Sequence, residues 1–204
     1  MDVLEIYRNR EEFSHAQRTS ALLARLIREL RHSGQLEVHY THEQEACILY
    51  AAVLHDLGKI MIPDSILLKP GSLSQSEYSV IKLHTMLGVQ LTENFLELTP
   101  QQLSFAKTIC MHHHEKWDGS GYPDGLAGKD IPYPARLMAV VDVYDALTHT
   151  RPYKAPYPEP VALSILKAGQ GTQFDPVIVE AFTFIVPTEK AYNTAVNLMC
   201  ASTL

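Results

Sequence analysis

No cysteine pair at metal or redox spacing occurs in the chain, because Cys47, Cys110 and Cys200 are scattered singly. That distribution excludes a disulfide framework and a thiolate zinc site, and predicts free thiols in a reducing cytosol. Basic charge is also scarce: 17 Lys and Arg face 23 Asp and Glu, for a formal net charge of −6. A binder of polymeric nucleic acid needs a basic face to displace counterions, so that class is disfavoured. Small anionic ligands held by a few local cations remain open. No uncharged apolar run approaches the roughly 20 residues of a membrane span, and the first ten residues lack the apolar core of a signal peptide. The expected compartment is the cytoplasm. Low-complexity segments, internal repeats and strand alternation are missing as well.

What is present reads as one all-α domain spanning 1–204, long enough to bury a real core. Leu22, Leu23, Leu26, Ile27 and Leu30 form one helical stripe over about Glu11 to Leu30. A second helix is expected from Thr41 to Leu57 with Gly58 as its stop. Ser74-x-x-Glu77 has capping-box spacing and should open a helix carrying His84 on an inner stripe of Val80, Ile81, Leu83 and Leu87. Thr99-Pro100 should open a helix running into His113. Pro134 to Leu147 is another helix, apolar except at Arg136, Asp142 and Asp145. Asp175-Pro176 and Thr188 should begin two last helices, the final one a C-terminal extension over about 187–204. Two stretches read as loops from their prolines and glycines, Ile62 to Gly71 and Asp118 to Pro132.

His55-Asp56 ends an apolar run, where burying both groups is costly without a partner. Neutral imidazole and ionised carboxylate are ready ligands for a divalent metal. A second cluster follows at His113-His114, with His112 alongside, and Asp142 interrupts an apolar helix. Glu11 and His15 stand four apart, on one helical face, and His84 lies on a helix of its own. Glu11, His15, His55, Asp56, His84, His113, His114 and Asp142 are too many ligands for one ion. They suit two or three ions sharing a carboxylate, with Asp56 as the expected bridge. Imidazole and carboxylate without thiolate favour iron or manganese, or catalytic zinc, over a structural zinc site. Such a centre activates water and clamps a phosphoryl oxygen, so it requires no Ser or Cys nucleophile.

These residues resemble the HD-GYP family of bacterial phosphodiesterases, a branch of the HD superfamily of metal-dependent phosphohydrolases. The resemblance covers about 11–182 and rests on His55-Asp56-Leu57-Gly58-Lys59, on His113 through Pro123 (HHEKWDGSGYP), on Asp142 through Leu147, on Arg151-Pro152-Tyr153-Lys154, and on Gly171 through Pro176. It implies a helical HD-domain bundle around a metal centre, and the assignment of His113 and His114 over His112 comes from it. It further implies cyclic di-GMP as substrate, with pGpG or GMP as product; another cyclic dinucleotide, cyclic GMP-AMP, is the alternative. A weakly catalytic sensing and docking module is a second alternative. By the same resemblance Lys59 is a catalytic group reaching the metals and the scissile phosphate; Asp56, the expected bridge, is the other expected catalytic residue. Gly121, Tyr122, Pro123, Asp145, Arg151 and Lys154 fall on the substrate side, and Glu11 serves a third metal. The Gly-Tyr-Pro loop could also dock a partner protein, and oligomerisation is left open. Family members usually carry an upstream sensor or receiver domain, so the chain is expected to be either a stand-alone enzyme or one module of a longer protein.

Overall fold

The computed structural model describes residues 3–8, 10–150 and 155–186, the side chains of residues 11 and 12 excepted. The helices are α1 (Val3–Arg8), α2 (Glu11–His32), α3 (His42–Leu54), α4 (Asp64–Leu67), α5 (Gln75–Lys82), α6 (His84–Phe95), α7 (Pro100–His112), α8 (Tyr133–Thr148), α9 (Glu159–Ala168) and α10 (176–186). There is no strand among the described residues; two isolated bridges, Asp118 with Ala127 and Gln170 with Phe174, pin turns. The all-α expectation holds.

α3 packs against both α2 and α7, α6 lies on the far side of α7, and α8 packs on α2 with α9 behind it. The stripe predicted on α2 is real: Leu22, Leu23, Leu26, Ile27 and Leu30 are all buried. They meet Ile48, Ala51 and Leu54 of α3 and Leu137, Val140 and Val141 of α8 in one core. The helix starts are set by local chemistry. Thr41, Ser74 and Thr99 each accept from the backbone N–H three residues on, and the residue there returns a bond, completing three capping boxes. Each such cap is worth about 1 kcal/mol. At α10 the Asp175 carboxylate accepts from the Val177 N–H at 3.0 Å.

Several boundaries differ from expectation, and two of the differences shape the site. α3 stops at Leu54 rather than Leu57, so His55 and Asp56 leave the helix, and Leu57–Met61 tightens into a 3-10 turn. Gly58 is therefore not a helix stop. A Cβ there would lie 2.0 Å from the His84 carbonyl oxygen and 2.5 Å from Gly88 N, so glycine is what lets this turn press against α6. The helix opened by Ser74 ends at Lys82 and a new one starts at His84, which turns Leu83 outward at 46% exposure instead of onto an inner stripe. The stretch Ile62 to Gly71, expected as loop, contains the single turn α4. The helix expected from Thr188 lies outside the described residues.

Candidate metal centre

Helix ends converge on one buried spot. His55 caps the C-terminus of α3 and is followed by Asp56; His113 caps the C-terminus of α7 and is followed by His114; His84 is the first residue of α6. His15 comes from α2, and Asp142 and Asp145 lie one turn apart on α8. The last carbonyls of a helix have no partner within it and carry its partial negative charge. Here the histidines take them. His55 Nδ1 donates to Ala52 O at 2.8 Å, His113 Nδ1 to Ile109 O at 2.8 Å, and His84 Nδ1 to Ile81 O at 2.7 Å. A carbonyl can only accept, so each Nδ1 carries the proton and each Nε2 presents its lone pair inward. Fixing the tautomer through the other ring nitrogen is how metal-binding histidines are held.

The Nε2 atoms meet at Asp56. Its Oδ1 lies 3.4 Å from His84 Nε2 and 3.8 Å from His113 Nε2, while Oδ2 lies 3.3 Å from His55 Nε2 and accepts from Lys59 Nζ at 2.5 Å. Two groups of ligand atoms overlap on this carboxylate, Asp56 with His84, His113 and His114, and Asp56 with His15 and His55. Asp142 Oδ1 joins the second, 3.0 Å from His15 Nε2 and 3.9 Å from His55 Nε2. His55 Nε2 and Asp56 Oδ1 are buried without a hydrogen bond of good geometry. Leaving such atoms unpaired costs about 1–3 kcal/mol each, more for charged groups, and a cation between them removes that cost. The donor set therefore fits divalent metal ions.

The electrostatics agree. Burial holds the His84 and His113 imidazoles below the usual histidine range and pushes His114 down to about 4, so all three are neutral and ligand-ready near pH 7. Burial opposes ionisation of Asp56 and Asp142, yet Lys59 and His55 around the first and His15 beside the second keep both carboxyls well below their normal value. His15 behaves in the opposite way. Burial alone would lower it, but the Asp142 and Asp145 carboxylates outweigh that and raise it to about 9, which marks a spot where positive charge is stabilised.

The family resemblance implies a place for Asp145 on the substrate side. In the fold it is buried beneath His15, accepting from His15 Nδ1 at 2.6 Å and held by Arg18 through bonds of 2.8 and 2.9 Å. It orients the His15 ring, as the backbone carbonyls do for His55, His84 and His113. Arg18 carries no signal in the sequence beyond its place three residues after His15, on the same face of α2.

Tyr122 stacks on His114 with ring centroids 4.9 Å apart and meets Tyr78 edge-on, and Lys82 Nζ stands 5.7 Å above its ring. Gly121 makes that possible, since a Cβ there would lie 2.3 Å from Lys116 N. Tyr78 and Lys82 are thus additional groups at the rim that composition and spacing did not single out. Lys59 opens to solvent with 20% of its side chain exposed. The Glu11 side chain, Arg151 and Lys154 lie outside the described residues.

Comparison with known proteins agrees with the geometry. The chain is 43% identical over 178 residues to a cyclic di-GMP phosphodiesterase of Vibrio cholerae serotype O1, covering 86% of this chain and 36% of that protein. It is 40% identical to a 3'3'-cGAMP-specific phosphodiesterase 2 of the same organism, covering 85% of this chain and 31% of that one. The chain thus spans about a third of the length of these relatives. Among solved structures, Bd1817, a HDG"Y"P protein from Bdellovibrio bacteriovorus, superposes with a TM-score of 0.64 at 20% identity, covering 85% of this chain and 51% of that chain, which shows a shared fold. The sequence profile of the HD domain matches residues 6–178, and with the motifs and relatives above the chain belongs to the HD domain family, in its HD-GYP branch.

Proposed function

We propose that this chain is a metal-dependent phosphodiesterase domain that hydrolyses cyclic di-GMP to pGpG or GMP. One observation carries the reading: the two oxygens of Asp56 divide between two clusters of imidazoles, with a lysine ammonium on the same carboxylate. Ligand sets sharing one carboxylate are what a dinuclear hydrolase requires. His55, Asp56, His84, His113, His114, His15 and Asp142 would hold two divalent ions, iron or manganese by donor type, with Glu11 reserved for a third. When bound, they would supply the charge that polarises a phosphoryl oxygen and lowers the pKa of water.

The chain's own residues do the rest. Arg18 and Asp145 fix the His15 ring, and the terminal carbonyls of the helices fix the others, so the centre needs little reorganisation. Lys59, tethered to Asp56 at the open side, holds a positive charge where a phosphate would arrive and neutralises charge developing on the scissile group. Tyr122, backed by His114, offers one ring face at the rim for a base, with Gly121 and Pro123 setting the course of its loop. Arg151 and Lys154 are proposed to attract the dinucleotide, since a net-negative protein needs local cations to do so. The reaction fits a cytoplasmic second-messenger enzyme, and the same loop would present any partner-docking surface. No helix among the described residues is long and apolar enough to cross a membrane.

A second reading, cyclic GMP-AMP as substrate, is favoured by the relative named for that nucleotide. Turnover of both nucleotides by metal-loaded protein, with products separated by chromatography, decides between them. Preference for cyclic di-GMP supports the proposal, preference for cyclic GMP-AMP moves the substrate, and no turnover of either removes the enzymatic reading.

A further inference from the structure

A second cluster of donors lies away from Asp56, under the glycine-rich loop. His112 and Glu115 are three residues apart at the end of α7, and Asp124 reaches them from the loop; one donor atom from each falls within 4.8 Å of the others. The Glu115 side chain is wholly buried. Its Oε1 accepts from the Asp124 and Gly125 backbone N–H groups at 2.8 and 3.1 Å, but its Oε2 has no partner, and neither does the buried His112 Nδ1. His112 Nδ1 stands 4.0 Å from Glu115 Oε1 and 3.6 Å from Asp124 Oδ2. A charge-assisted hydrogen bond would close to about 2.7–2.9 Å. No such bond closes here, and the 3.6 Å gap between His112 Nδ1 and Asp124 Oδ2 is that of two ligands around one ion with bonds of about 2.0–2.2 Å.

We infer that His112, Glu115 and Asp124 form a further divalent-cation site, separate from the Asp56 centre. One imidazole and two carboxylates select a borderline first-row dication such as Zn(II). Asp124 has half its side chain in solvent, which leaves room for water to complete the coordination shell. The ion would tie the loop to α7 two residues beyond Tyr122, helping to hold that ring against His114. Its role is to position the loop, and it contributes no group to hydrolysis.

Chelator-stripped protein is dialysed against Zn(II), and bound metal per chain is counted in the parent, His112→Gln and Asp124→Asn. Because Asp124 is half exposed, its near-isosteric amide leaves packing intact. A further pair, Asp56→Asn alone and combined with Asp124→Asn, removes the main centre from the count. The expected result is a loss of one equivalent in each single variant of the cluster. One equivalent should also persist in Asp56→Asn and vanish in the combined variant. Unchanged stoichiometry in both His112→Gln and Asp124→Asn overturns the inference. So does loss of every ion in them, which would make the cluster only a support for the Asp56 centre.

Discussion

Replacing Gly58 by alanine puts a methyl group where the backbone of α6 already lies. The new Cβ would sit 2.0 Å from the His84 carbonyl oxygen, 2.5 Å from Gly88 N and 2.8 Å from His84 C, all backbone atoms that no rotamer change can move. Ordinary contact begins near 3.4 Å, so the 3-10 turn and α6 must part by about 1.4 Å. Overpacking of this kind costs about 1–3 kcal/mol; with backbone on every side, about 3 is expected. For a chain of this length about 2–4 °C of Tm is lost per kcal/mol, hence a fall of about 6–12 °C. The displacement also separates Asp56 and Lys59 from His84, and misplacement by about 1 Å can cost about 100-fold in turnover. Gly88→Ala is the control. Its Cβ would meet Cys110 Cβ and Sγ at 3.4 Å and Gly58 N at 3.5 Å, all ordinary contact distances, and alanine favours a helix interior, so stability should be unchanged or improved. Thermal melts followed by circular dichroism, with metal content and turnover on the same samples, read all of this. Gly58→Ala matching the parent, or Gly88→Ala proving equally damaging, would refute the reasoning.

Asp145→Asn should weaken metal affinity about 10–100-fold by releasing His15, with little change in KM once metal is saturating; a raised KM at unchanged metal affinity would return Asp145 to the substrate side. Hydrogen bonds from Lys69 and Ser74 lower the Glu77 carboxyl to about 2. Its folded pKa lies below the unfolded one, so its contribution is complete above about pH 5 and fades as pH falls towards 2. The Tm gap between parent and Glu77→Gln should close over that window, and a gap constant with pH would contradict the assignment. Burial pushes the Cys110 thiol up to about 12, so it should resist alkylation at pH 8 until the chain unfolds; labelling of the native protein at that position would contradict its packing.

The helix starts were legible because capping is local. Thr41, Ser74 and Thr99 act on atoms three residues away, and Leu22 through Leu30 declare their face by period alone. Helix ends were less so. Gly58 reads as a stop in one dimension, whereas its role is set by α6, thirty residues on. The break at Leu83 likewise leaves no trace in a run that keeps its helical period. α9 begins within Pro158-Glu159-Pro160, and those prolines look like punctuation until the helix behind them is seen. The candidate ligands announce themselves through the cost of burying His55, Asp56 and Asp142. The hand of each does not. Which ring nitrogen faces inward depends on carbonyls such as Ala52 O and Ile109 O, and the grip of Asp145 on His15 spans 130 residues.

X-ray absorption fine structure of iron- or manganese-loaded, turnover-competent protein tests the shared-carboxylate centre most directly. The account predicts a metal–metal vector at about 3.5–4 Å beside nitrogen and oxygen shells, present in the parent and lost in Asp56→Asn. An active parent with light-atom shells alone, or a vector that survives in Asp56→Asn, would contradict it.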